Sequence, residues 1–236
     1  MTVSPSQQKD VLFSQEHAAD ASAATLRITE VFVSLQGETS RGGLPTVFVR
    51  LTGCPLRCQY CDTAYAFSGG ELREIDALVQ QVVEYGVRHV TVTGGEPLAQ
   101  PGVFKLMQNL CDKGLQVSLE TSGALDVDPV DPRVARVVDI KTPGSGEVDR
   151  NLYENFAGLR EHDEIKFVIC DRGDYEWARL QCERYELLDG PAGVLFSPSA
   201  PELEPRVLAD WIVQDRLPVR FQIQLHKLLW NDEAGR

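Results

Sequence analysis

The sequence predicts an α/β fold, a full or partial (β/α) barrel, on three observations. Short β-branched stretches alternate with amphipathic stretches of roughly 10 to 15 residues, as in the βαβ units that build a parallel sheet. Polar residues and glycines collect where those strands end, the edge at which α/β barrels assemble active sites. The 236 residues contain no internal repeat and lie within the range of a single hydrophobic core. An open doubly wound sheet is the second arrangement compatible with the same alternation.

Residues 1–24 are rich in Ser, Ala, Gln and Asp, and their longest apolar run is Val11 to Phe13. That run is too short for a signal peptide or a membrane span. A disordered extension over 1–24 is therefore expected ahead of one domain over 25–236, in a cytoplasmic protein. Strands follow at "RITEVFVSL" (27–35), "TVFVRLTG" (46–53), "RHVTVTGG" (88–95), "QVSLETSG" (116–123), "RVVDIKTPG" (136–144), "EIKFVIC" (164–170), "GVLFSPS" (193–199) and "VRFQIQLH" (219–226). Helical periodicity marks "IDALVQQVVEYG" (75–86), stopped by Gly86, and "PGVFKLMQNLCDKG" (101–114), opened by Pro101 and closed by Gly114. Two more helices are expected at "DYEWARLQCERYELL" (174–188) and "PELEPRVLADWIVQD" (201–215), the last with Pro205 in its first turn. The polar strand ends are Thr93, Gly94 and Gly95; Glu120, Thr121 and Ser122; Asp139 and Lys141; Ser197; and Gln224 and His226.

Acidic residues outnumber basic ones 35 to 23, a formal charge of -12. A surface that neutralises phosphates needs clustered Lys and Arg, so nucleic acid is excluded as a partner and a small or protein substrate is favoured.

The stretch "GCPLRCQYCDT" (53–63) crowds Cys54, Cys58 and Cys61 together, whereas Cys111, Cys170 and Cys182 are scattered through apolar segments. This is poor material for a disulfide framework and better material for a metal site plus packed thiols. Three chemistries start from such a loop. Structural zinc closes four ligands; no second CxxC or HxxxH occurs, so zinc would have to recruit His89 or His226. A reactive thiol pair uses Cys58 and Cys61 and leaves Cys54 idle. An iron-sulfur cluster is normally held by four cysteines, so three leave one iron open to a chelating cofactor.

With Tyr60 before the last cysteine, this CxxxCxxC resembles the signature of radical S-adenosylmethionine (SAM) enzymes, and "TVTGGEP" (91–97) resembles their GGEP motif. The resemblance implies one 4Fe-4S cluster on Cys54, Cys58 and Cys61 with SAM at the open iron, and it narrows the fold to the partial TIM-type barrel of the radical SAM core. It also implies that Gly94, Gly95 and Glu96 receive the SAM ammonium. Asp139, Ile140 and Lys141, with Phe196, Ser197, Pro198 and Ser199, would bind the rest of the cofactor.

Flanking residues narrow the resemblance. The "LQGE" of Leu35 to Glu38, Arg50 ahead of the first cluster cysteine, the "CDT" continuation and His226–Lys227 on a last strand make residues 28–230 similar to the 7-carboxy-7-deazaguanine synthase family. Implied is a carbon-nitrogen lyase of 7-deazapurine and queuosine biosynthesis. Such an enzyme contracts 6-carboxy-5,6,7,8-tetrahydropterin to 7-carboxy-7-deazaguanine with release of ammonia. By the same resemblance Leu35, Gln36, Gly37, Glu38, Arg50, Thr93 and His226 hold the pterin, and Thr63 ligates Mg²⁺. A homodimer and a flavodoxin-type electron donor are implied as well.

Structural alternatives stand beside these roles. Arg50 would pair with Glu30 or Glu38, Gln36 and Glu38 would shape the turn before "RGGLP", Lys141 would close on Asp139, and Thr63 would cap the cysteine loop. At the level of function, a glycyl-radical-enzyme activase would share the barrel and the loop. A non-catalytic iron-sulfur or zinc protein would leave GGEP and the open coordination position without a purpose.

Overall fold

The structure, a computed structural model, describes residues 25–231; the extension expected at 1–24 lies outside the described residues. Nine strands form one sheet in the order β3-β1-β2-β4-β5-β6-β7-β8-β9. They are β1 (Thr25–Leu35), β2 (Pro45–Leu51), β3 (Glu71–Glu74), β4 (His89–Gly94), β5 (Gln116–Thr121), β6 (Ala135–Ile140), β7 (Glu164–Ile169), β8 (Gly193–Pro198) and β9 (Arg220–Phe221). From β2 to β9 each neighbouring pair is parallel. The sheet's end strands, β3 and β9, do not pair with each other, so the barrel is partial.

Helices cover the outer face: α1 (Ile75–Glu84), α2 (Gly102–Asp112), α3 (Arg172–Arg184) and α4 (Pro205–Asp215), with a short α5 (Leu225–Trp230) near the end. Their apolar residues fall at helical spacing. Ile75, Leu78, Val79 and Val82 of α1, and Val103, Leu106, Met107 and Leu110 of α2, are buried against the sheet. The strands supply the other half by alternation: Val47, Val49 and Leu51 of β2, or Val138 and Ile140 of β6, point outward into this core. The intervening residues point inward, and there the barrel is polar. Asp171 caps α3 by accepting from the Asp174 amide at 2.9 Å, and Pro205 starts α4 where a missing N–H costs nothing.

Three expectations are corrected. The strand expected over 219–226 shrinks to Arg220–Phe221, and His226 lies in α5. The alternation of "FQIQL" mimics a strand, but pairing with β8 ends at Phe221 and the chain turns into a short helix whose Leu228 and Leu229 stay exposed. The sheet is not wholly parallel: β1 runs antiparallel to both β2 and β3. β3 was not expected, being four residues long and mostly charged, "ELRE". The third helix runs from Arg172 to Arg184 rather than over 174–188, shifted toward its Asp171 cap. No described helix is long and apolar enough to cross a membrane.

Candidate active site in the barrel mouth

The inward residues enclose a cavity of about 530 Å³ at the C-terminal ends of the strands. All three clustered cysteines line it, half-buried and unpaired. Their loop is pinned from three sides. The Gly53 amide donates to Ala66 O at 2.8 Å, the Gln59 amide to Ser145 O at 2.9 Å, and the Arg57 amide to the Glu147 carboxylate at 2.5 Å. Arg57 then folds back, donating to Cys54 O and Leu56 O at 2.7 and 2.6 Å and stacking its guanidinium 4.2 Å from the Phe67 ring centre. A loop so tied holds its thiols in place before any ligand arrives.

The chemistry of this donor set can be tested against the alternatives. Burial pushes the Cys58 thiol up to about 11, with Lys141 opposing and with Cys61 and Cys54 adding repulsion. Burial likewise raises Cys54. The thiols thus feel one another's charge, yet among the described residues no three His, Cys, Asp or Glu side chains converge as one metal ion requires. Three cysteines on one tied loop, all facing the cavity, would hold a cluster by three thiolates and leave its fourth iron toward that cavity.

The GGEP segment packs directly on this loop. A Cβ on Gly95 would lie 2.1 Å from Gly53 O and 2.9 Å from Cys54 Cβ, and one on Gly94 would meet Leu51 O at 2.3 Å. The Gly95 amide donates to Leu51 O at 3.1 Å and the Glu96 amide to Gly53 O at 2.8 Å. Both glycines line the cavity; Glu96 does not. Fully buried, its carboxylate accepts from the Leu98 amide (2.9 Å), Thr121 Oγ1 (2.9 Å), and the amide and hydroxyl of Ser122 (2.7 and 2.5 Å). Glu96 therefore locks the end of β4 to the end of β5 and has no acceptor turned toward a SAM ammonium.

The remaining residues expected at SAM divide by register. Asp139, Lys141, Ser197, Pro198 and Ser199 line the cavity, while Ile140 and Phe196 point outward and are fully buried in the core. Lys141 Nζ closes on Asp139 Oδ2 at 2.7 Å. Burial works against its charge, but Asp139 and Cys58 more than offset that and hold its pKa above the usual lysine value. The other Asp139 oxygen, Oδ1, and the Tyr60 hydroxyl are buried without hydrogen-bond partners. Two unanswered polar atoms in a cavity wall are the mark of a site that expects a polar ligand.

Leu35, Gln36, Gly37, Glu38, Arg50, Thr93 and His226 all line the same cavity. Gln36 Nε2 donates to Thr91 Oγ1 at 3.0 Å and to Glu120 Oε1 at 3.2 Å, and Thr93 Oγ1 donates to Glu120 Oε2 at 3.1 Å. Gly37 is needed for docking: a Cβ there would lie 2.4 Å from His226 Nδ1, and Gly37 O accepts from the Leu225 amide at 3.0 Å. Arg50 Nε donates to Glu30 Oε1 at 2.6 Å, and Tyr65 OH donates to that same oxygen at 2.7 Å. Glu38 is joined to Lys166 by an ion pair and accepts from Gln224 Nε2 at 2.8 Å. Thr63 also faces the cavity, its hydroxyl donating to Asp62 Oδ1 at 2.8 Å. Asp62 Oδ2 takes Gln224 Nε2 and Lys227 Nζ, each at 3.0 Å, and its pKa is held well below the carboxylate range: burial opposes this, but Lys227 prevails.

Lys166 lines the cavity and has no part in the sequence reading, which takes Glu120 and Gln224 only as polar strand ends and Asp62 and Lys227 only as parts of the "CDT" and His226–Lys227 segments. The signal for Lys166 was present: a lysine between Ile165 and Phe167, at the inward register of an otherwise apolar strand.

Comparison with known proteins agrees with this geometry. The Radical SAM superfamily profile matches residues 48–139. The chain is 47% identical over 214 residues to the 7-carboxy-7-deazaguanine synthase of Chlorobaculum tepidum, covering 89% of this chain and 97% of that protein. It is 42% identical over 225 residues to the 7-carboxy-7-deazaguanine synthase of Koribacter versatilis, covering 89% and 99%. Among solved structures, QueE from Escherichia coli superposes with a TM-score of 0.70 at 25% identity, covering 89% of this chain and 99% of that one.

Proposed function

This chain belongs to the 7-carboxy-7-deazaguanine synthase family of the radical SAM superfamily, and on that basis we propose that it contracts 6-carboxy-5,6,7,8-tetrahydropterin to 7-carboxy-7-deazaguanine with loss of ammonia. The observation that carries this reading is the meeting of two donor sets in one cavity. Three thiols line it, and so do a carboxylate and a guanidinium, Glu38 and Arg50, held by Lys166 and Glu30 respectively. Cys54, Cys58 and Cys61 would hold the 4Fe-4S cluster; Gly94, Gly95, Asp139, Lys141 and Ser197 to Ser199 would surround SAM. Bound together, cluster and SAM supply the one-electron, hydrogen-abstracting chemistry that no side chain provides.

The protein's own share is binding, alignment and exclusion of water. A tetrahydropterin presents N–H donors along its pyrimidine edge and a carboxylate at C6. Glu38 would accept from the donor edge, with Gln36 and Thr93 beside it, and Arg50 would bind the carboxylate. Arg50 commits only Nε to Glu30, which leaves its terminal nitrogens for a ligand. Thr63, which faces the cavity with its hydroxyl oxygen, would hold Mg²⁺, a cation that needs few protein ligands and would bring the substrate carboxylate into place. Holding the ring among these residues fixes C6 against SAM, and such alignment contributes to rate by removing rotational freedom beforehand. We assign the reaction to the carbon-nitrogen lyases. A single domain over 25–236, a homodimer, a flavodoxin-type donor and a cytoplasmic location belong to the same proposal.

The test is anaerobic. Reconstituted protein is given dithionite, SAM, Mg²⁺ and 6-carboxytetrahydropterin, and the product is followed by mass spectrometry. A deazaguanine carboxylate is expected, absent in Cys58→Ala. Cleavage of SAM without that product would remove the substrate assignment and leave the superfamily.

A further inference from the structure

Among the charged cavity residues that the chemistry above leaves unused, Lys166 is the one that pairs directly with Glu38. Lys166 stands in the middle of β7, paired in register with Asp139 of β6 and Leu195 of β8, and its side chain points inward among carboxylates. It forms an ion pair with Glu38, and among the described residues no other carboxylate lies within salt-bridge distance of its ammonium. Glu38 itself is faced from every side by groups that bear on its charge. Lys166 reaches it from β7, Gln224 from the start of α5 at 2.8 Å, Asp62 from the cysteine loop, and Glu120 from β5.

We propose that Lys166 is a positioning residue for substrate recognition: its ammonium, paired with Glu38, keeps that carboxylate ionised and aimed so that it can accept from the N–H edge of a 2-amino-4-oxo ring. The proposal rests on the reading of Glu38 as a pterin ligand. An ionised carboxylate offers only acceptors and selects an edge of donors; a protonated one carries its own donor and loses that selectivity. Burial alone drives a carboxyl toward protonation, and Glu120, half-buried near Glu38, shows the result: loss of water first, and the Glu38 charge second, raise it above the usual glutamate value. Glu38 feels the same burial and yet lies below that value, because Lys166 outweighs it. One ammonium thus sets apart two neighbouring carboxyls. Glu38 is held as an acceptor, while Glu120 takes its hydrogen bonds from Gln36 and Thr93.

The sign of the pH effect follows. With Lys166 removed, Glu38 shifts upward, so ring binding weakens as pH falls and recovers as pH rises. The probe is 6-carboxypterin, titrated by fluorescence into cluster-loaded protein between pH 6 and 8.5. The wild type is expected to bind with little pH dependence from this group. Lys166→Met is expected to bind roughly tenfold or more weakly at pH 6 and to regain affinity toward pH 8.5, as leaving a buried carboxyl without its cation requires. Lys166→Arg keeps the charge and should hold the flat profile, and adding Glu120→Gln to Lys166→Met should restore part of the loss. A Lys166→Met protein that binds like wild type at pH 6 overturns the inference, as does one weakened equally at every pH. Glu38→Ala separates the two layers: normal binding by that variant overturns the placement of the pterin itself, whereas weak binding there beside normal binding in Lys166→Met overturns only the role of Lys166.

Discussion

Two ion pairs involve β7 and its immediate approach, one fully buried and one part-buried at the cavity wall, and they differ in what they leave unanswered. Arg136, near the start of β6, points to the outer face, and Asp163 immediately precedes β7. Both side chains are fully buried. Arg136 donates through Nε and Nη2 to Asp163 Oδ2 at 3.0 and 2.5 Å, through Nη1 to Val127 O at 3.3 Å, and through Nη2 to Gly158 O. Asp163 in turn accepts the backbone amides of Arg136 and Arg160, each at 2.8 Å. The Lys166–Glu38 pair, by contrast, faces a cavity and uses one of three ammonium donors. A pair that engages four of five guanidinium N–H donors and both carboxylate oxygens ties chain to chain; a pair at a cavity wall with ammonium donors uncommitted is available to a ligand. Saturation, together with burial, separates the fold's electrostatics from the site's.

The largest effect that would break this distinction is at Arg136. Replacing Arg136 by Met strands the Asp163 charge in an apolar surround, and such half-removed pairs cost about 3 to 5 kcal/mol. The urea midpoint should fall accordingly, with 6-carboxypterin affinity of the folded fraction unchanged. Replacing both partners with apolar residues should return much of the stability. Equal stability of Arg136→Met and wild type would show that saturation is no guide to structural weight.

How far the sequence discloses such things depends on range. The parallel strands, their helices and the cavity at their C-terminal edge were legible because period 2 and period 3.6 are local properties. The three cysteines were legible because their spacing is itself the signal. Two kinds of feature were not. Pairings between distant segments, such as Gln224 bridging Glu38 and Asp62, exist only after the last helix docks on Gly37. The last helix was itself misread, because "FQIQL" alternates like a strand although pairing with β8 ends at Phe221. Side-chain direction was the second blind spot. Glu96, Ile140 and Phe196 belong to recognisable segments, yet register turns each of them away from the cavity. Strand alternation could have sorted Ile140 and Phe196 from Asp139 and Ser197; nothing local could have shown that Glu96 is captured by Thr121 and Ser122.

Glu96 sharpens the comparison from inside a motif. By the saturation criterion it sides with Asp163, so Glu96→Gln should act on stability first. The substituted amide can no longer accept from every donor now converging on the carboxylate, and a lost charged hydrogen bond costs about 1.5 to 3 kcal/mol. A lower urea midpoint with SAM binding retained by equilibrium dialysis is the expected outcome. Loss of SAM binding at unchanged stability would place Glu96 with the ligand after all.

The smallest effect concerns pH, and it sets Glu38 against Glu120. Glu38 titrates below the unfolded value near 4.3, so its contribution to stability is present above that pH and is lost as pH falls through the folded pKa. Glu120 titrates above the unfolded value, so folding holds its proton more tightly and its contribution erodes as pH rises from about 4.3 through the folded pKa. Their slopes are therefore opposite, each bounded by about 1.4 kcal/mol per pH unit. Removing Glu120 as Glu120→Gln should make the rise of stability with pH steeper above pH 4.3. Removing Glu38 as Glu38→Gln should flatten the fall below it. Urea midpoints at half-unit steps from pH 3.5 to 7 resolve the two. If both variants alter the curve in the same direction, Lys166 does not divide the pair, and the cavity's electrostatics would have to be assigned to the site as a whole.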